Sequence, residues 1–129
     1  MKAIMMVICF LILQDQPALD PSLLYGRWAW YASEGGMMGQ HITAEQTREN
    51  KSLVFSKDHA VFYMVADSVS FKSRYVIETR RSEFTGKDMP SLRIQGIAKD
   101  QWISMQGRDT LFLRENKYDG WTHRYVRIR

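Results

Sequence analysis

The chain has 129 residues, with 18 Lys and Arg against 14 Asp and Glu, a formal net charge of +4. That length suits one domain; it is too short for a TIM barrel and tight for paired nucleotide and substrate domains. Hydrophobic residues at 45% and charged residues at 25% argue against disorder, and 8 glycines with 3 prolines are too few for a linker or a fibrous protein.

Lys2 is followed by an unbroken apolar run of 11 residues, Ala3 to Leu13. A membrane-spanning helix needs about 20 apolar residues. A positive residue followed by a run of this length has the form of a secretory signal peptide. The polar, turn-prone Gln14-Asp15-Gln16-Pro17-Ala18 ends the run. Residues 1–18 are therefore expected to be a signal peptide cleaved after Ala18, leaving a domain over 19–129 in the periplasm or outside the cell. Gln16 is larger than the small residue usual three positions before cleavage, and a retained apolar strand or anchor is the alternative. Cys9 follows Ile8 rather than a small residue, so lipid anchoring at Cys9 is not expected. It is the chain's one cysteine. Its removal would leave no disulfide, thiolate metal site or cysteine nucleophile.

Beyond Leu23 the dominant period is two. Residues 24–32 read Leu-Tyr-Gly-Arg-Trp-Ala-Trp-Tyr-Ala, which puts Trp28 and Trp30 on one face. Further strands are predicted over 52–56, 60–66, 70–80, 91–97, 101–106, 110–114 and 121–128, all rich in β-branched or aromatic residues. Short turn signals such as Lys57-Asp58-His59 and Gly107-Arg108-Asp109 separate most of them and favour antiparallel hairpins. The one long connection, 33–51, holds Gly35-Gly36-Met37-Met38-Gly39 and then Thr43-Ala44-Glu45-Gln46. Thr43 with Gln46 fits a capping box, predicting one or two helical turns from Ala44. The expected fold is all-β, an eight-stranded up-and-down antiparallel barrel whose closure removes exposed edges.

The opening strand carries Gly26-Arg27-Trp28, followed by Trp30. Gly35, Gly36 and Gly39 come next, then Ile42, Thr43 and Glu45, and finally Asp119, Gly120, Tyr125 and Arg127. This layout, over residues 24–129, resembles the lipocalins, their calycin relatives and small bacterial lipocalin-like proteins. The resemblance implies a closed barrel end built from Gly26, Trp28, Tyr125 and Arg127, with an arginine of the last strand across the tryptophan. Arg127 is the expected partner of Trp28, and Arg124 replaces it if the register shifts by one. The chain lacks the disulfides and C-terminal helix of full lipocalins. Its 33–51 segment is too short and glycine-rich for the helix–turn–helix of fatty-acid-binding proteins.

Catalytic patterns are sparse. His41, His59 and His123 have no zinc-motif spacing and sit in no nucleophile signature, so they are expected as single surface histidines. The glycine-rich stretch lacks the Gly-Lys-Ser/Thr ending of a phosphate loop. The expectation is a protein that is not an enzyme and takes no metal or cofactor. The sequence pI is about 9.3, but the positive charge is spread along the chain and export would remove access to nucleic acid, so no nucleic-acid partner is expected. A mildly basic surface suits peripheral envelope contact with anionic headgroups or glycans. A monomer is expected.

Strict alternation would turn Trp28, Trp30, Leu53, Phe55, Phe62, Met64, Phe71, Tyr75, Ile77, Leu92, Ile94, Trp102, Leu111, Leu113, Trp121 and Tyr125 inward. From these, Trp30, Phe55, Phe62, Tyr75 and Trp102 are the candidate ligand-binding lining. Met37 and Met38 are candidate mouth residues on a mobile lid. The expected function is noncatalytic binding of a small apolar or amphipathic molecule. The alternative is a filled-core envelope protein acting through surface contacts, because an eight-stranded barrel is just wide enough to be filled by its own side chains.

Overall fold

The structure, a computed structural model, describes residues 19–128. The expected signal peptide over 1–18, with Cys9, lies outside the described residues. The strands are β1 (Gly26–Gly35), β2 (Gln40–Thr43), β3 (Lys51–Phe55), β4 (Ala60–Val65), β5 (Ser68–Arg81), β6 (Asp88–Ile94), β7 (Gln101–Gln106), β8 (Thr110–Glu115) and β9 (Thr122–Ile128). Neighbours pair in the order 2-1-3-4-5-6-7-8-9, and β1 also pairs with β9. Eight strands thus form a closed, antiparallel, up-and-down barrel, and β2 is an addition to it. Residues 26–29 of β1 pair with β3, while residues 32–35 of the same strand pair with β2. The short strand β2 therefore covers backbone groups that would otherwise form an open edge.

The long connection is accordingly more ordered than a glycine-rich loop. After β2 the chain turns into α1 (Ala44–Thr47) through the capping box. Gln46 N donates to Thr43 Oγ1 at 3.1 Å and Thr43 N donates to Gln46 Oε1 at 3.0 Å.

One end of the barrel is closed. A 3-10 turn, Pro21–Leu24, crosses it after the Asp20 side chain caps the Ser22 N–H. Leu24 is fully buried there, and Trp28 Nε1 donates to the Leu24 carbonyl at 2.9 Å. The Arg127 guanidinium carbon lies 4.2 Å from the Trp28 ring centroid, a cation–π contact. Arg127 also donates to the carbonyls of Leu23 at 2.6 Å, Tyr25 at 2.8 Å and Arg108 at 2.9 Å. Gly26 makes room for this. Its φ is +118°, and a Cβ there would lie 3.2 Å from Arg127 Nη1.

Above the closed end the lower barrel is solid. Trp28, Phe55, Val61, Tyr75, Leu92, Ile94, Ile103, Leu111 and Leu113 pack as one buried cluster. Phe55 and Tyr75 meet edge to face at 5.1 Å, and the Tyr75 hydroxyl donates to the Ser56 carbonyl at 2.8 Å.

Two strands take the opposite parity from the expected one. On β4, Val61 and Tyr63 face the interior, and Phe62 points outward beneath Lys72 Nζ at 5.3 Å. On β7, Ile103 faces in opposite Leu113, so Trp102 faces out opposite Arg114. The side-chain period of a strand is two, so an error of one residue exchanges both faces. Residues 61–64 and 102–103 carry large apolar groups at adjacent positions, and there alternation alone does not say which face is buried.

Candidate ligand cavity

The upper barrel is not filled. Its interior encloses a cavity of ≈ 400 Å³ that opens at the end away from Trp28. The strand registers order its walls into levels. Leu53 lies opposite Tyr63 and Trp30 opposite Tyr125, and these four form an apolar, aromatic floor. Two residues nearer the mouth, Lys51 lies opposite Val65, and Ser33 opposite His123. Gln101 pairs with Glu115 at the corresponding ends of β7 and β8. Ile97, Lys99 and Ser70 complete the rim. Polarity changes along the barrel axis, from aromatic floor to charged and hydrogen-bonding mouth.

Ser33 is turned inward by a bulge. The β1–β9 register runs Trp30 to Tyr125 and then Ala32 to Arg124, which leaves Tyr31 without an opposite residue. The extra residue reverses the parity of β1, so Trp30 and Ser33 share the inner face instead of Trp30 and Ala32.

The bulge builds a hydrogen-bonded chain. Trp30 Nε1 donates to Ser33 Oγ at 2.8 Å, and Ser33 Oγ lies 2.7 Å from His123 Nδ1. An indole nitrogen only donates, so the Ser33 oxygen accepts from Trp30; toward Nδ1 the hydroxyl donates when the ring proton is on Nε2 and accepts when it is on Nδ1. Burial holds the His123 pKa below its ordinary 6.5 and keeps the ring neutral at pH 7; Glu115 opposes that shift and Lys51 adds to it. Glu115 Oε1 accepts the Trp121 N–H at 2.9 Å. Lys51 Nζ stands 5.2 Å over the Trp30 ring and 3.1 Å from Glu49 Oε2. Burial pushes the Tyr63 hydroxyl up, an effect a Gln101 hydrogen bond partly offsets, and burial also pushes Tyr125 up. Both phenols stay neutral donors at ordinary pH.

Of the expected lining, the cavity contains Trp30. Phe55 and Tyr75 face inward but belong to the packed core below it. Phe62 and Trp102 are corrected to the outer face by the parity of β4 and β7. Trp102 lies in an outer depression with Met89, Phe112 and Arg114, and its Nε1 is buried without a hydrogen-bond partner among the described residues. Met37 and Met38 form the tip of the β1–β2 hairpin, 88% and 85% exposed, and do not line the cavity. Their hairpin is built by β2 pairing with residues 32–35 of β1. Gly26, Trp28 and Arg127 stand at the closed end, whereas Tyr125, expected with them, lies in the cavity floor.

Several cavity residues were not among those expected to face inward, including Ser33, Lys51, Tyr63, Lys99, Gln101, Glu115 and His123. His123 shares a face with Tyr125 and Arg127 by alternation on β9, a signal present in the sequence. Gln101 and Glu115 sit at strand ends, where polar residues are ordinarily taken for turn neighbours. Among the described residues no group of three His, Cys, Asp or Glu is placed to hold a metal. Comparison with known proteins finds no matching family, curated relative or solved structure, so the reading of this cavity rests on its own geometry and chemistry.

Proposed function

We propose that this protein binds a small amphipathic molecule, without catalysis, in the upper half of the barrel. The observation that carries the reading is the axial layering of the ≈ 400 Å³ cavity, with Leu53, Tyr63, Trp30 and Tyr125 at the floor and polar groups at the mouth. Pockets of this size and mixed lining are typical of small-molecule sites. The Ser33–His123 pair supports a positioning role. The Ser33 oxygen already accepts the Trp30 N–H, which draws electron density from the atom a nucleophile would use. The alternative of a filled barrel acting only through its surface accounts for the lower half and leaves the upper cavity without a purpose. The lipocalin resemblance agrees with this reading through Gly26, Trp28 and Arg127, and a signal-like segment over 1–18 suits a carrier working outside the cytoplasm.

The test is a titration of tryptophan emission with decanol, checked by native mass spectrometry. Burial of a decyl chain, less the cost of ordering it, supports binding in the range of about 1–100 μM. Emission should saturate with one alkyl chain per protein. A Ser70→Trp variant, which narrows the rim, should lose that saturation. No bound mass and no emission change with any alkyl chain would contradict the proposal.

A further inference from the structure

We infer that the ligand sits tail inward and that its head group is a carboxylate, held at the mouth by Lys51, Lys99 and the Nε2–H of His123. The inference rests on the amphiphile reading above and adds the head-group chemistry and the orientation.

The orientation follows from the levels of the cavity. An apolar chain gains by displacing water from the aromatic floor, while a charged group placed there would lose its hydration with nothing to replace it. The mouth offers partners of both signs. Two lysines, Lys51 and Lys99, line it with one acidic residue, Glu115, and Glu49 lies beside Lys51. One oxygen of Glu115 is already engaged by the Trp121 N–H. Lys99 makes no ion pair among the described residues. Lys51 has Glu49, but that pair is about half exposed on both sides and such pairs contribute little, so Lys51 can exchange it for a ligand. His123 supplies a neutral donor fixed in direction. Its Nδ1 is occupied by Ser33 Oγ, which Trp30 anchors, so Nε2 is the free end of a three-member chain, and the inferred site takes the tautomer with the proton on Nε2. A neutral donor beside two ammonium groups suits an anion, and it avoids the repulsion an imidazolium would add to the unliganded mouth.

Size limits the tail. At ≈ 400 Å³ the cavity stands near the small end of the range for small-molecule sites, about 300–1,000 Å³. The fitting class is a medium-chain or compact aromatic acid rather than a long-chain lipid.

The test compares three probes with one tail, decanoate, decanol and decylamine, by calorimetric titration of the full chain at neutral pH and low salt. Decanoate should bind about tenfold tighter than decanol, and decylamine should bind weakest. Added salt should shrink the decanoate advantage and leave decanol unchanged. In a Lys51→Met, Lys99→Met double variant decanoate should fall to the level of decanol. A urea-unfolding midpoint close to the parent's shows that the barrel of that variant is intact. Equal affinity for decanoate and decanol would overturn the head-group inference while leaving the cavity reading in place. Preference for decylamine would overturn it in favour of Glu115 as the head-group partner. Failure of all three probes would remove the cavity reading and this inference with it.

Discussion

Replacing Arg127 by Met tests how the barrel is closed. Met keeps much of the apolar stem and removes the charge and the donors. The guanidinium stacks 4.2 Å from the Trp28 centroid, and a largely desolvated cation–π contact of this kind is worth about 1–2 kcal/mol. The carbonyls of Leu23 and Tyr25 accept from Arg127 in a part-buried setting, and each would be left unpaired at a cost of about 1 kcal/mol. The Arg108 carbonyl is exposed, so water replaces the lost bond there. The expected destabilisation is therefore about 3–4 kcal/mol, a large share of the roughly 5–15 kcal/mol that holds a typical domain. Urea unfolding followed by tryptophan emission measures it. Arg127→Lys, which keeps the charge but can satisfy fewer carbonyls, should fall between the two. Hydrogen exchange at the Trp28 indole N–H should quicken in the Met variant, because the 3-10 turn that accepts it is no longer tied down. A Met variant within about 1 kcal/mol of the parent would refute the closure argument.

Other perturbations separate the hairpin, the mouth and the floor. Met37→Ser with Met38→Ser is expected to leave both the melting temperature and decanol binding unchanged, since both side chains are exposed at the hairpin tip; weakened binding would show that the hairpin folds over the mouth. Gly35→Ala should cost more than about 2 kcal/mol in urea unfolding, because φ is +147° and a Cβ would stand 2.6 Å from the Gly120 carbonyl oxygen. Gly39→Ala, at φ +63° with open space around it, should cost about 1 kcal/mol, and equal costs would refute the close approach of β1 to Gly120. His123 has a folded pKa below 6.5, so the unfolded chain binds more protons as the pH falls. Its contribution to stability is full above about pH 6.5 and is lost as the pH drops through the folded value. Glu115 and Lys51 face the ring with opposite effects. His123→Asn should flatten the stability profile in that window, and an unchanged profile would show that the ring is not buried as described.

The barrel was legible because its signals are local and repeated. Short strands with turn residues between them leave few alternatives to an antiparallel meander, and the capping box at Thr43 and Gln46 is complete within four residues. The stacking of Arg127 on Trp28 could be anticipated because strands one and nine must meet if the barrel closes. The cavity was harder to read. Parity failed on β4 and β7, where Val61, Phe62, Tyr63 and Met64, and then Trp102 and Ile103, are apolar on both faces. Ser33 was hidden by the Tyr31 bulge, which strict alternation does not anticipate and which decides whether the hydroxyl faces the cavity or the solvent. Polar residues at strand ends, such as Gln101 and Glu115, look the same in sequence whether they meet water outside the barrel or line a cavity within it. The strand β2 was concealed by the glycines of its own hairpin.

The most direct test of ligand binding inside the upper barrel is a two-dimensional NMR titration with decanoate in which the Trp30 indole N–H is observed and ligand protons are located by nuclear Overhauser contacts. The expected result is a saturating shift of the Trp30 indole resonance, with contacts from the terminal methyl group to Leu53 and Tyr63 and from the carbon beside the carboxylate to His123. Shifts confined to Trp102, Met37 or Met38, with the Trp30 indole unmoved, would contradict it and place the interaction on the outer surface.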